Sequence, residues 1–225
     1  MKIKASCLFL LALLATTCDS SGFDHFWLVQ VWPSGYCLQA NCSQTSDRFI
    51  IHGLWAVNVV DKTLPGTAGK GDPSIRPSIK PLRKDLMRYW LPLNENNLSR
   101  AENFWIYQWK KHGSAAKEFI QPRDYFQMAL QLAKDTDLRN TLQNHGAVPI
   151  LPDGGSYNKR DYKAAIKNKT GHDPLLKCVK GDDGISHLKE VIICVDDQAQ
   201  SFIQCAKQKD RCYFDIMFDV PPRTN

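Results

Sequence analysis

The sequence predicts an α+β protein with a central antiparallel sheet, helices packed on it, and disulfide bonds that staple the fold. Segments rich in β-branched and aromatic residues lie near both ends of the chain, whereas apolar residues at helical spacing fill the middle. Strands that are segregated from helices in this way favour α+β over alternating βαβ units. Six cysteines beyond residue 22 indicate the disulfides.

Residues 1–22 are typical of a secretory signal peptide. Lys2 and Lys4 precede the apolar run CLFLLALLA, small polar residues follow, and we expect cleavage near Gly22. The apolar run is shorter than the roughly 20 residues that a membrane-spanning helix needs. We therefore expect a secreted, extracellular protein without a membrane anchor. The remainder, residues 23–225, contains no low-complexity linker or repeat and is predicted to form a single domain.

The N-terminal part predicts two strands and two loops. The strands have the sequences FWLVQVW and RFIIHGLW, and the loop between them holds Pro33, Gly35, Cys37 and Cys42. Residues 59–81 are crowded with glycine and proline, so they are predicted to form an irregular loop.

The middle of the chain predicts five helices. Their ranges are 83–90, 101–112, 123–134, 137–144 and 159–168. Pro122 opens the third helix and Gly171 closes the fifth. After them, the segments EVIICVD and YFDIMFDV return to strand character.

The six remaining cysteines are predicted to form three disulfides, because an even number of cysteines in an oxidising compartment is typical of a disulfide framework. They are Cys37, Cys42, Cys178, Cys194, Cys205 and Cys212. Their spacing sets the first two apart from the four near the C-terminus but does not by itself decide the pairing. Zinc is the competing use, yet no histidine stands at ligand spacing from a close cysteine pair. We expect no metal and no other cofactor.

Three N-x-S/T sequons start at Asn41, Asn97 and Asn168. Such short motifs arise by chance, but behind a signal peptide each is a candidate glycosylation site on a surface loop. The formal net charge of +6 is equally uninformative alone. It fits a polyanionic ligand as well as an ordinary solvated surface.

Two histidines stand in contexts that favour chemistry. His52 lies inside the apolar run FIIHGLW, where a structural core histidine is the simpler reading unless a partner exists. His112 ends the second predicted helix beside Lys111, and Gln108 lies one turn earlier on the same face. Interaction with the helix dipole would also explain a histidine there. The other four histidines, outside both segments, are predicted to be surface or loop residues: His25, His145, His172 and His187.

These two segments resemble the active-site blocks of the ribonuclease T2 family. The blocks are FIIHGLW and FWIYQWKKHG, and the further segments VWPSGYC, DYFQMALQL, DPLLKCV, LKEVIICVD and SFIQC are similar to plant members, above all the self-incompatibility S-RNases. The resemblance covers nearly all of the chain after residue 22. It implies an α+β fold with a central antiparallel sheet and the disulfides Cys37–Cys42, Cys178–Cys212 and Cys194–Cys205.

The resemblance also implies a mechanism without a protein nucleophile. RNA carries its own nucleophile, the ribose 2′-OH, so the protein supplies a base, an acid and a cation. By resemblance His112 takes the 2′-OH proton, His52 protonates the departing 5′-oxygen, and Lys111 stabilises the charge on phosphorus, with Gln108 in the same site. The products would carry 2′,3′-cyclic phosphate ends. We expect single-stranded RNA as substrate, contacted by Trp55, Phe104, Trp105 and Gln30.

The second block departs from the family pattern, which reads HEW.KHGTC. Tyr107 replaces a histidine, Gln108 replaces a glutamate and Ala115 replaces a cysteine. Glutamine still forms hydrogen bonds, and some S-RNases share this exchange, so we interpret it as tuning. The cysteine expected in the loop 59–81 is absent as well, so one crosslink of the family is missing without leaving a free thiol.

The first block departs at positions that bear on base recognition. HGLWPDN in the family reads HGLWAVN here, with Ala56 for proline and Val57 for an acidic residue. Val31 stands where a glutamine usually precedes the Trp-Pro pair. Proton transfer is not affected by these changes.

Two functions follow as hypotheses. The first is a secreted, monomeric endoribonuclease, with a role in self-incompatibility and a pollen-side recognition protein as the refinement that the S-RNase likeness suggests. The second is a catalytically impaired relative that serves in storage or defence, or that binds RNA. Retention of both histidines and the lysine favours the enzyme, whereas the altered base-site residues favour the alternative.

Overall fold

The structure is a computed structural model that describes residues 22–67, 75–146, 149–206 and 210–221. The predicted signal peptide, with Cys7 and Cys18, lies outside these described residues apart from Gly22.

The seven described strands form one sheet. They are β1 (His25–Val31), β2 (Ile50–Val57), β3 (Ser156–Asn158), β4 (Leu175–Lys180), β5 (Ser186–Val195), β6 (Phe202–Ile203) and β7 (Asp215–Met217). The order is β2-β1-β5-β7-β3, with β4 and β6 also paired to β5. Every strand pair is antiparallel except β5 with β7, which meet in parallel at His187 and Met217. The predicted central antiparallel sheet is confirmed, and β5 lies at its centre.

The helices pack on this sheet and include all five predicted ones. They are α1 (Pro33–Cys37), α2 (Ile75–Ile79), α3 (Arg83–Tyr89), α4 (Leu98–Gln108), α5 (Pro122–Thr136), α6 (Leu138–Gln143) and α7 (Lys159–Thr170). Pro122 occupies the first turn of α5, and Gly171 caps α7 in the left-handed conformation, as predicted. Among the described residues, no helix has both the length and the apolar character to cross a membrane.

Some segments differ from the prediction. The loop expected over residues 59–81 contains α2, whose Ile75 and Ile79 are fully buried although Pro77 lies between them. The predicted strand YFDIMFDV shrinks to β7, because Tyr213 and Phe214 point into solvent, 68% and 78% exposed. β3, β4 and β6 carry no clear period-two pattern and were not predicted from the residues.

An aromatic core joins the helices to β2 of the sheet. Its largest members are buried between α3, α4, α5 and β2: Trp90, Trp105, Trp109, Tyr125 and Phe126. The Tyr125 hydroxyl donates to the Leu54 carbonyl at 2.7 Å. The Trp105 indole donates to the Trp90 carbonyl at 2.8 Å, and the Trp90 indole donates to the His52 carbonyl at 3.2 Å. This chain of contacts fixes the position of β2.

The three disulfides are those that the family resemblance implies. Cys37 bonds Cys42, Cys178 of β4 bonds Cys212, and Cys194 of β5 bonds Cys205. The last two tie the C-terminal segment to the sheet.

Hydrogen bonds replace the crosslink that the sequence lacks. Thr67, in the loop after β2, donates from its backbone to the Ser114 hydroxyl at 2.8 Å and from its own hydroxyl to the Ser114 carbonyl at 2.6 Å. The Ser114 hydroxyl in turn donates to the Lys110 carbonyl at 2.8 Å. Ser114 immediately precedes Ala115, where the family pattern has cysteine. The two segments are thus held together without a covalent bond.

Replacing Ser114 by alanine is expected to lower the free energy of unfolding by about 1 to 3 kcal/mol, because the hydroxyl of the fully buried Ser114 accepts from the Thr67 backbone N–H and donates to the Lys110 carbonyl, and both hydrogen bonds are lost. Urea denaturation of the variant beside the wild type measures the change. Ser99→Ala, at an exposed position of α4, is the control and is expected to change stability by no more than about 0.5 kcal/mol. Equal stability of the Ser114 variant and the wild type would show that this contact does not hold the loop.

Candidate active site

His52 is held on β2 with its ring directed towards β5. Its Nδ1 lies 3.0 Å from Oε1 of Glu190, and its side chain remains 26% exposed. Since its backbone carbonyl is bound by the Trp90 indole, both the main chain and the ring of His52 are fixed.

His112 lies in a widened turn that follows α4. Residues Trp109–Gly113 form a π-helical turn in place of the regular helix predicted up to residue 112. Such turns are frequent at functional sites. Gly113 makes the turn possible, because a Cβ there would lie 2.7 Å from ring atoms of both Trp109 and Tyr125. The turn holds Lys111 and His112 next to β2.

Trp55 brings the two histidines together. The His112 ring stacks on it with centroids 4.7 Å apart and an interplanar angle of 21°. The His52 ring meets the same indole edge-on at 5.3 Å. Gly53 leaves room for this indole, since a Cβ there would lie 2.1 Å from Trp55 Nε1. Two imidazoles 60 residues apart in sequence therefore contact the same indole.

The electrostatic surroundings keep His112 neutral. Burial, the neighbouring Lys111 and the nearby His52 together lower the pKa of His112 from the ordinary 6.5 to about 4. A neutral imidazole with a free nitrogen accepts a proton, which is the property of a general base.

Lys111 and Gln108 occupy different depths of the site. Lys111 is exposed, and its ammonium lies 5.2 Å from the centre of the Tyr107 ring. Gln108 is 2% exposed, and its Oε1 has no hydrogen-bond partner among the described residues. That oxygen lies near the Trp55 indole, because both approach the position of a Cβ on Gly53.

Glu190 and Lys177 complete the site, and the sequence reasoning missed both. Burial alone would raise the pKa of Glu190, but hydrogen bonding and attraction to His52 and Lys177 lower it to about 2. The Lys177 ammonium lies 3.0 Å from Oε2 of Glu190 and 5.4 Å from the centre of the Trp55 ring. The available signal was a single carboxylate at the start of the apolar segment EVIICVD.

The structure separates the residues predicted to contact substrate. Trp55 is partly exposed in the cleft, and Phe104 shares with His52 and Tyr36 the lining of a cavity of about 30 Å³. The prediction that Gln30 and Trp105 contact the substrate is not supported by their burial. Gln30 is 1% exposed and donates to the Thr136 hydroxyl at 3.1 Å, and Trp105 is fully buried in the aromatic core. Both side chains form hydrogen bonds inside the fold.

Two of the remaining histidines were wrongly predicted as surface residues. His25 is buried on β1 between Asp24 and Asp61, each 2.7 Å away. His187 is buried on β5, where Asp219 lies 2.8 Å from its Nδ1. A histidine on a strand needs a carboxylate distant in sequence to be buried, and no local pattern reveals such a partner.

One cluster of potential metal ligands occurs among the described residues, at His25, Asp61 and Cys194. The sulfur of Cys194 is bonded to Cys205, and both ring nitrogens of His25 are occupied by carboxylates. Since a thiolate is the form of cysteine that binds metals, these residues are structural.

The fold and the site define an enzyme of acid–base chemistry on an α+β scaffold, and comparison with known proteins agrees. A model of the Ribonuclease T2 family matches residues 23–205. Extracellular ribonuclease LE of Solanum lycopersicum is 35% identical over 214 residues, which are 90% of this chain and 91% of that protein.

Two solved structures have the same fold. RNase NT in complex with 5′-AMP aligns with a TM-score of 0.76 and 28% identity over 88% of this chain and 98% of its own. The gametophytic self-incompatibility associated SF11-RNase of Nicotiana alata aligns with a TM-score of 0.72 and 29% identity over 88% and 99%. The chain belongs to the ribonuclease T2 family and is an endoribonuclease of that family.

Proposed function

We propose that the protein cleaves single-stranded RNA by transesterification. The 2′-oxygen forms a bond to phosphorus while the bond to the 5′-oxygen breaks. His112 takes the proton of the 2′-OH and His52 gives one to the 5′-oxygen, so a 2′,3′-cyclic phosphate and a free 5′-OH result. The convergence of the two imidazoles on Trp55, at 4.7 and 5.3 Å, is the observation that carries this proposal.

The roles follow from the surroundings of each ring. The lowered pKa of His112 suits a base, and the carboxylate on His52 Nδ1 suits a residue that must carry a proton to the leaving group. Lys111 supplies positive charge beside the base, where negative charge develops on phosphorus. Gln108 lies near the Trp55 indole beside Gly53, and its amide oxygen is buried without a hydrogen-bond partner among the described residues.

The substrate class is supported by chemistry and by a relative. Phe104 and Tyr36 lie beside His52 as aromatic side chains on which a base can stack, and single strands offer such unstacked bases. RNase NT binds 5′-AMP in its solved structure. The impaired-relative alternative draws on the altered residues Val31, Ala56 and Val57, all of them buried and outside the two-histidine contact.

The biological setting is also a proposal. Extracellular ribonuclease LE is a relative, and the signal-like segment at residues 1–22 agrees with secretion of a single domain over 23–225, expected to be monomeric. Asn41, Asn97 and Asn168 are exposed and accessible to glycans, although Asn97 caps α4 and Asn168 lies in α7 rather than in a loop. The likeness to SF11-RNase supports a self-incompatibility role with a pollen-side partner.

A single-stranded oligodeoxynucleotide that contains one ribonucleotide tests the reaction. We expect cleavage after that ribonucleotide, with a 2′,3′-cyclic phosphate on the 5′ fragment, and no cleavage when its sugar is also 2′-deoxy. His52→Ala is expected to leave the oligonucleotide nearly intact. Equal cleavage by the wild type and this variant would refute the proposed chemistry, and binding without cleavage by the wild type would support the impaired alternative.

The pH dependence of kcat/KM follows from His112. Because the base must be neutral and the pKa of His112 is about 4, kcat/KM is expected to stay level through mildly acidic pH and to fall only below about pH 4. Initial rates on a dinucleotide between pH 3 and pH 8 check this. If kcat/KM began to fall already near pH 6.5 as the pH is lowered, the pKa of His112 would not be lowered by its surroundings.

A further inference from the structure

The Glu190 carboxylate is enclosed between the His52 imidazole and the Lys177 ammonium at the centre of the sheet. Its backbone on β5 pairs with Val31 of β1 on one side and with Lys177 of β4 on the other. Only 4% of the residue is exposed. One oxygen lies 3.0 Å from His52 Nδ1 and the other lies 3.0 Å from the Lys177 ammonium.

This contact fixes which nitrogen of His52 carries hydrogen. With a pKa of about 2, Glu190 is ionised across the working range and accepts hydrogen bonds without donating any. His52 Nδ1 must therefore donate, and Nε2 is left to exchange a proton with a bound molecule. The hydrogen bond of one ring nitrogen decides the role of the other.

We propose that Glu190 is a positioning residue for His52, and that Lys177 holds the Glu190 carboxylate in place. This inference rests on the proposed function, since it gives Glu190 the task of orienting the acid and stabilising its protonated form. A carboxylate in this position lets the imidazolium form beside the leaving oxygen at lower cost, as in other dyads of acid and orienting group.

Glu190 supplies the negative charge beside the His52 ring. The Tyr36 ring of α1 lies edge-on at 5.8 Å, and burial together with the proximity of Glu190 raises the pKa of its phenol, so it stays neutral. His112, with its pKa lowered to about 4, is neutral and supplies no negative charge. The Lys177 ammonium contacts the other oxygen of Glu190. Among the described contacts of the His52 ring, Glu190 is the carboxylate.

The substitution Glu190→Gln removes the negative charge and keeps a side chain of nearly the same shape. The glutamine oxygen can still accept from His52, but the negative charge is lost and the amide hydrogens face Lys177. We expect kcat on a ribodinucleotide to fall about 10- to 100-fold, with KM changed less than about threefold. We also expect the alkaline decline of kcat/KM to move to lower pH, because the imidazolium has lost its counter-charge. Glu118→Gln, at an exposed position, is the matched control.

A substrate with an activated leaving group identifies the step that Glu190 serves. The 3′-(4-nitrophenyl phosphate) of the preferred nucleoside releases a stable phenolate that needs no proton from His52. We therefore expect Glu190→Gln to be nearly as fast as the wild type on this ester, while remaining slow on the dinucleotide. A merely structural ion pair would slow both substrates equally and leave the pH profile in place.

The outcomes separate this inference from the proposed function. If Glu190→Gln matches the wild type on the dinucleotide, or loses the same factor on both substrates, Glu190 does not position the acid. If the wild type also fails to cleave the dinucleotide, or if His112→Ala cleaves it as fast, the proposed function itself falls. Thermal unfolding of Glu190→Gln, compared with the wild type, confirms that the folded protein is being assayed.

Discussion

Replacing His112 by alanine is expected to lower kcat for RNA cleavage by about 10²- to 10⁴-fold, because a positioned base in the transition state contributes a factor of that size. The residue is poised for this task by its lowered pKa. Its ring stacks on Trp55 and is partly exposed, so its loss leaves no large cavity in the core. Single-turnover cleavage of a ribodinucleotide measures the chemical step directly.

The control for this variant is His145→Ala. His145 lies in the turn after α6 and, like His112, is partly exposed. We expect it to cleave RNA at the wild-type rate. A positioned base contributes at least about 10²-fold to the rate. If His112→Ala kept more than about a tenth of the wild-type rate, the loss would be smaller than that, and another group would have to accept the 2′-OH proton. Circular dichroism of both variants should match the wild type.

Local patterns identified the two candidate histidines, and the family resemblance supplied their predicted roles as acid and base. His52 lies in a strand pattern, and His112 lies at a helix end beside a lysine and a glycine. The shift into a π-helical turn at Trp109–Gly113 was not predictable from periodicity, since it depends on how Gly113 packs against Tyr125 of another helix. The predicted helix 101–112 agrees with α4 and the turn that follows it, but its last turn is π-helical rather than regular.

Long-range pairing explains what the sequence could not show. Glu190 lies 138 positions from His52 in sequence, and only the pairing of β5 with β1 and β1 with β2 brings them together. Gln30 and Trp105 illustrate the reverse. Trp105 belongs to the second active-site block and Gln30 directly precedes the family-like segment VWPSGYC, but both side chains are buried, Gln30 in a strand that is covered on both faces and Trp105 on the inward face of α4. The face on which a residue lies depends on register, which one chain's composition does not reveal.

Replacing Trp105 by alanine is expected to lower the free energy of unfolding by about 3 to 5 kcal/mol, the usual cost of deleting a fully buried aromatic side chain. Trp105 is 0% exposed in the aromatic core. Its indole also donates to the Trp90 carbonyl, and Trp90 in turn holds the backbone of His52. The substitution therefore loosens β2 as well as the core, and kcat is expected to fall at temperatures where the protein is still folded.

Two variants test whether Trp105 acts through packing rather than through RNA. Trp105→Phe keeps most of the ring and removes the donor to Trp90, so we expect an intermediate loss of stability and an unchanged KM. Tyr107→Ala removes an aromatic ring from the same helix at a position that is 50% exposed, and it should change stability by no more than about 0.5 kcal/mol. Urea denaturation and KM measured in parallel decide the matter. A raised KM with unchanged stability in Trp105→Phe would place this ring against the substrate, contrary to its burial.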